Sequence, residues 1–291
     1  MSTGISDLAS LRARHPEAIT EAAARRARRP LLGDSGRLMI VAADHPARGA
    51  LGVGDRALAM ADRADLLERL CVALSRPGVD GVLATADILE DLLLLGVLEN
   101  KVVMGSMNRG GLSGAAFELD DRFTGHRAQD LTRLRFDAGK LLLRIDYDDP
   151  GSLTTLESTA RAIDDMAAHR LPLFVEPFIS RRLGGRVVND LSPEAVTRSV
   201  AIASGLGGTS AYTWLKLPVT RDPDDMAEVL ETSTLPTVLL GGEVDDQEAA
   251  YERWRKALRL PTVQGMVVGR SLLYPAEGSV ETAVDTAVGL L

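Results

Sequence analysis

KLLLRIDY (140–147), DDPGSLTTLESTARAIDDMAAHR (148–170) and LPLFVEPF (171–178) are three consecutive stretches of one chain. The first and last are short apolar runs rich in branched residues. The segment between them, from Leu153 to His169, carries apolar residues at helical spacing. Strand, helix, strand is a unit that makes parallel neighbours, because a parallel pair needs a crossover of a dozen residues or more.

The same alternation extends both ways. Upstream lie LMIVAAD (38–44), VDGVLAT (79–85) and KVVMGSM (101–107), and downstream YTWLKLPV (212–219), PTVLLGG (236–242) and GMVVGRS (265–271). Helical segments are expected at Asp55 to Leu74, Asp87 to Leu95, Pro193 to Ser204, Pro223 to Glu231 and Asp246 to Leu258. Asp55, Asp87 and Ser192 are N-cap residue types, and Pro193 suits a first helical position. Eight strands at about 32 residues per step fit a (β/α)8 TIM barrel of the α/β class. A doubly wound open sheet is the alternative, since strand count does not show closure. Residues 1–30 read as an N-terminal helical extension with Arg25, Arg26, Arg28 and Arg29, a solvated helix under the barrel; residues 31–291 read as the single barrel domain.

The chain has 291 residues, 45% of them hydrophobic, and a net charge of −8. That charge disfavours nucleic acid as a partner. One cysteine, Cys71, excludes an internal disulfide framework. There is no apolar run of about 20 residues and no secretory apolar core, so no membrane association and a cytoplasmic location are expected. A homo-oligomer is expected, as for many barrels.

In a barrel, alternate residues of each strand face inward, and chemistry gathers at the strands' C-terminal ends. Parity places Lys216 inward with Trp214, Glu176 with Phe174, and Asp44 at the end of the Ile40, Ala42 row. In the fourth strand the inward set is Lys140, Leu142, Arg144 and Asp146. A buried lysine near other cations has a lowered pKa, as a Schiff-base nucleophile attacking a ketone requires. An inert Lys216–Glu176 pair inside the barrel is the other reading. Gly241 and Gly242 follow the seventh strand, and Gly269 and Arg270 the eighth, where barrels of this kind bind phosphate. The long segment 105–126 is expected to act as a lid or specificity element, with Asn108 and Arg109 as candidate anion-binding residues. His45 and His126 stand alone. Without further ligands beside His45, no metal is expected.

On these residues the sequence resembles the class I aldolases grouped around deoxyribose-phosphate aldolase and tagatose 1,6-bisphosphate aldolase. AADHPARGALG (42–52) resembles their first-strand motif, with three residues rather than one between Asp44 and Arg48. KLLLRIDYDDP (140–150) resembles the fourth-strand segment whose lysine assists catalysis. VEPF (175–178) resembles the strand-five glutamate motif, and WLKLPV (214–219) the strand of the Schiff-base lysine. VLLGGEVDD (238–246) and GMVVGRSLL (265–273) resemble the phosphate loops. The resemblance implies reversible aldol cleavage of a phosphorylated ketose without cofactor: Lys216 as nucleophile, Glu176 with Lys140 as proton shuttle, and Asp44 as a positioning group. Gly241, Gly242, Gly269, Arg270, Arg48, Arg144, Asn108 and Arg109 would hold the substrate and its phosphate. A Schiff-base acyltransferase, a non-catalytic phosphosugar-binding barrel and a metal-dependent aldolase are the competing expectations. Tagatose bisphosphate, sulfofructose phosphate and 2-deoxy-5-keto-gluconate 6-phosphate all fit as substrates.

Overall fold

A computed structural model describes residues 3–220, 222, 225–241 and 247–291. Its strands are β1 (Leu38–Ala42), β2 (Gly81–Ala84), β3 (Val102–Ser106), β4 (Ala138–Ile145), β5 (Leu173–Leu183), β6 (Arg186–Asn189), β7 (Thr213–Leu217), β8 (Thr237–Leu240) and β9 (Val263–Val268). All except β6 pair in parallel, in the order β1-β2-β3-β4-β5-β7-β8-β9, and β9 returns to β1 with Leu38 opposite Gly265. The β4–β5 ladder runs from Gly139↔Leu173 to Ile145↔Ile179. Closure on both sides makes this a TIM barrel and removes the open-sheet alternative.

Helices α1 (Leu8–Arg14) and α2 (Ala18–Arg25) precede the barrel, so the N-terminal segment holds two helices rather than one. The others are α3 (Arg63–Ser75), α4 (Ala86–Leu94), α5 (Ala128–Arg133), α6 (Gly151–Ala168), α7 (Pro193–Ser204), α8 (Asp225–Glu231), α9 (Gln247–Ala257), α10 (Arg270–Leu273) and α11 (Val280–Val288). No described helix is long and apolar enough to cross a membrane.

Local chemistry sets these boundaries. Ser192 caps α7 as expected, its side chain accepting from Ala195 N. Asp55 does not start α3. That helix begins eight residues later, where Asp62 accepts from Ala64 N and Asp65 N at 2.9 and 3.1 Å. Residues 53–60 instead form a turn closed by Val53 N to Arg56 O, with Met60 N bonded to Leu51 O. The cap of α4 is Thr85 rather than Asp87, whose carboxylate is paired with Arg63. The expected helix starts Pro223 and Asp246 lie outside the described residues.

Strand parity divides the apolar residues into two layers. Leu215, Leu217, Val175 and Leu141 pack outward against the helices. Ile40, Ala42, Met104, Phe174 and Val238 fill the interior, with the Trp214 ring centroid 5.1 Å from that of Phe174. Strand β9 crosses β1 closely: Gly265 has φ +146°, and a Cβ there would stand 2.0 Å from Leu38 O. Only glycine fits that approach.

Arg25 ends α2, and of the arginines after it Arg26 is buried, Arg29 half-buried and Arg28 exposed. Arg26 is 1% exposed. Its Nη1 donates to Lys101 O at 2.8 Å, and its Nη2 donates to Arg135 O and to Asp137. Arg28 bonds the other oxygen of Asp137 at 2.8 Å, and Arg29 pairs with Asp80. Asp80 and Asp137 in turn accept Met39 N and Val103 N at 2.7 and 2.9 Å. These contacts fasten the extension to the N-terminal ends of the strands. Sequence polarity suggested solvation; the buried carboxylates that receive these cations come from elsewhere in the chain.

Candidate active site

Inward-facing charges meet at the C-terminal mouth. Glu176 on β5 lies between two lysines: Lys216 Nζ on β7 donates to Glu176 Oε1 at 2.7 Å, and Lys140 Nζ on β4 pairs with Glu176 Oε2. Lys140 also reaches Asp44 Oδ2, just past β1, at 3.3 Å. The four residues expected to do chemistry form one connected group, each less than 10% exposed.

Burial disfavours charge on both lysines, and that effect leads in each. The Lys216 ammonium is held below its ordinary range first by burial and further by Arg109, while Glu176 opposes the shift. Lys140 is pushed down farther, by burial, Arg109 and Lys216. For Glu176 burial acts upward, but Lys140 and Lys216 outweigh it and hold the carboxyl well below the usual carboxylate range. The arrangement is therefore an ionised glutamate flanked by lysines that release protons unusually readily.

A second layer rims this group. Arg109 pairs with Asp44 and its Nε donates to Ser106 Oγ at 3.1 Å. Burial brings its pKa down to about 10. Arg48 and Arg144 share Glu118 Oε1 at 3.1 and 2.6 Å, and Arg144 also donates to Glu118 O at 2.8 Å. Asn108, expected to contact an anion, does something else. Its Nδ2 donates to Leu142 O at 2.6 Å and its Oδ1 accepts Leu142 N at 2.8 Å, extending the ladder between β3 and β4. Both ends of the amide are occupied by backbone. Asp146, nominally inward, lies beyond the end of β4 and accepts Asp148 N in the following turn.

Gly241 and Gly269 stand beside one another at the β8 and β9 ends. A Cβ on Gly241 would meet Val268 Cγ1 at 2.6 Å, and one on Gly269 would meet Ala42 O at 2.5 Å. Gly269 precedes α10, and Arg270 donates to Gly52 O at 3.2 Å. Ser271 Oγ is buried beside Gly241 with no hydrogen-bond partner among the described residues. Gly242 and the rest of the segment 242–246 lie outside the described residues.

The long segment after β3 is tied down at several points. Besides Glu118, Gly111 N donates to Asp121 Oδ1 at 3.0 Å, and Arg182 donates to Ala116 O at 2.6 Å. Ser106 and Glu118 escaped the sequence reading. Ser106 shares the inward face with Val102 and Met104, so parity points to it, although its side chain carries no charge. Glu118 sits in a loop, where no period exists to orient a side chain.

The fold defines the class: a TIM barrel of the kind that solved class I aldolases share. Among solved structures, a Schiff-base-forming fructose-1,6-bisphosphate aldolase superposes with a TM-score of 0.67 at 21% identity, covering 94% of this chain and 99% of that one. An archaeal fructose-1,6-bisphosphate aldolase, with its catalytic lysine covalently bound to the carbinolamine intermediate, superposes at 0.65 with 21% identity, covering 94% and 97%. At such identities the likeness is one of fold.

The model of the Cgl0159-like family matches residues 36–288, and the chain belongs to that family. The crystal structure of Cgl0159 from Corynebacterium glutamicum is 54% identical over 98% of this chain and 95% of that one, with a TM-score of 0.95. The resemblance to Schiff-base aldolases thus holds for the fold, while the family is neither the deoxyribose-phosphate nor the tagatose-bisphosphate group specifically. No curated protein matches by sequence.

Proposed function

We propose that this protein is a class I aldolase that cleaves a phosphorylated ketose, and that Lys216 carries the Schiff base. The observation that carries the reading is the Lys216–Glu176–Lys140 bridge. Neutral Lys216, its proton lost to solvent, adds through Nζ to the ketone carbon; the ketone oxygen takes up a proton from solvent, and Glu176, 2.7 Å from Nζ, takes one of the two protons on the nitrogen. Glu176 returns that proton to the carbinolamine hydroxyl, which leaves as water, and an iminium remains. Glu176 then takes the proton of the hydroxyl on the far carbon of the scissile bond. The carbon–carbon bond breaks, its electrons move into the iminium to give an enamine, and an aldehyde departs. Protonation and hydrolysis of the enamine free the second fragment, dihydroxyacetone phosphate or a similar small phosphate. Lys140 fixes the far oxygen of Glu176, and Asp44 fixes Lys140.

Charge in the mouth supports an anionic substrate. Lys140, Lys216, Arg48, Arg109, Arg144 and Arg270 face Asp44, Glu176, Glu118 and Asp121, a formal surplus of two positive charges within a chain of net −8. In this reading Gly241, Gly269 and Arg270, with Gly242, receive the phosphate, and Arg48, Arg109 and Arg144 bear on the distal end.

The experiment is a panel of ketose phosphates assayed for both fragments. Tagatose bisphosphate, sulfofructose phosphate and 2-deoxy-5-keto-gluconate 6-phosphate cover a phosphate, a sulfonate and a carboxylate at the distal end. Release of an aldehyde and a triose phosphate in equal amounts is expected from one of them. Binding without cleavage of any panel member, or turnover that requires coenzyme A, would contradict the proposal.

A further inference from the structure

His45 follows Asp44 off the end of β1, and the chemistry above makes no use of it. Its imidazole bridges the gap between β1 and the turn after β9: a Cβ on Gly269 would stand 3.2 Å from His45 Cε1. The ring therefore rests against a glycine, with its side chain 28% exposed. Nδ1 is sealed from solvent without a hydrogen bond, the nearest carboxylate oxygen being Asp44 Oδ1 at 3.7 Å. Nε2 makes no hydrogen bond among the described residues either, and it is not sealed. A ring with both nitrogens unpartnered, at the junction of the carboxylates and the glycine turns, is not accounted for by packing.

The charged groups around the ring come from four directions. Burial leads in pushing the imidazole pKa down to about 3, with Arg270 on α10, Lys216 on β7 and Lys140 on β4 acting the same way and Glu176 on β5 opposing. The ring is neutral at physiological pH, with one donor and one acceptor nitrogen. The Asp44 carboxylate on the Nδ1 side favours the proton there, which leaves the Nε2 lone pair on the unsealed side of the ring.

We propose that His45 is a substrate-contacting residue whose Nε2 accepts a hydrogen bond from the hydroxyl next to the imine carbon, on the side away from the phosphate. The inference rests on the aldolase reading. A phosphate dianion offers only acceptors, so it is a poor partner for an unprotonated Nε2 and a good one for the backbone amides and Arg270. A hydroxyl is the complementary group. A site that hydrogen-bonds a substrate hydroxyl discriminates against the analogue that lacks it.

Borohydride trapping with two ketones tests this. Dihydroxyacetone phosphate carries the hydroxyl; hydroxyacetone phosphate lacks it. Wild-type protein should trap the first at about tenfold lower concentration, the effect of one hydrogen bond. That preference should stay flat between pH 6 and 8. His45→Ala should bring the two ketones within about twofold while trapping hydroxyacetone phosphate as the wild type does. His45→Gln, whose amide oxygen can accept, should restore part of the preference. Equal trapping of both ketones by the wild type, an undiminished preference in His45→Ala, or an equal loss with both ketones would overturn the role of His45. No trapped lysine with either ketone in the wild type would overturn the aldolase reading, and this inference with it.

Discussion

At the bottom of the barrel Arg26 gives its two terminal nitrogens to the carbonyls of Lys101 and Arg135 and to Asp137, while at the mouth Glu176 divides its two oxygens between Lys140 and Lys216. Both ends bury cations against carboxylates. They differ in which cation is used. A guanidinium keeps its proton under ordinary conditions and offers a rigid fork, so the bottom contacts fix geometry and move no proton. A buried ammonium can shed its proton, and the lysines at the mouth are both held below their ordinary range. The bottom is a seal, and in the aldolase reading the mouth is a proton-transfer site, though each buries cations against a carboxylate.

The largest break in this comparison comes from Lys216→Met. Loss of the nucleophile should lower activity by about four orders of magnitude or more. Stability should change by less than about 1 kcal/mol, since Glu176 keeps Lys140 and a buried charge is replaced by an apolar chain. Activity assays and urea midpoints measured on one preparation check both halves. Glu176→Gln is next, lowering kcat by about 10² to 10³. It also carries a signed prediction. Neutral Lys216 is the attacking form, so imine formation rises with pH, with its limb below the ordinary 10.5. Glu176 raises the lysine pKa, so its removal should move that limb to lower pH in a pH–rate profile.

The bottom should respond the opposite way. Arg26→Ala removes a buried partner of Asp137, which keeps Val103 N and, as its one cation among those described, the exposed Arg28, and should cost about 3 kcal/mol in a urea titration. Its kcat/KM should match wild type at a temperature where both are folded. The smallest effect belongs to Arg270→Ala. KM for the ketose phosphate and the inhibition constant of inorganic phosphate should each rise about tenfold with kcat little changed, as for one charge-assisted contact. An Arg270 variant with lowered kcat and unchanged KM would place that side chain in the chemical step instead.

Much of this was legible because strands have a period of two. All eight parallel strands fall on the runs expected from the sequence, and parity placed Lys216 with Trp214 and Glu176 with Phe174 on the inner face. Where that period stops, the reading stops. β5 continues past Phe178 to Leu183 and returns as β6 through Gly184 and Gly185, which have φ of +57° and +81°. The Gly-Gly pair between RRL and RVV was a hairpin signal of its own. Asn108, Glu118 and Asp121 sit in a loop, where only tertiary contacts decide which side chain holds backbone and which faces the mouth. The burial of Arg26 was hidden for a related reason. Its carboxylate partner is 111 residues away, and nothing in the local pattern of α2 points to it.

The central claim is that Lys216, and not its neighbour Lys140, is the nucleophile. Reduction with borohydride during turnover of a ketose phosphate, followed by peptide mass mapping, tests it directly. The account predicts one covalent adduct, on the peptide containing Lys216, absent from Lys216→Met. An adduct on Lys140, or turnover with no reducible adduct at all, would contradict it.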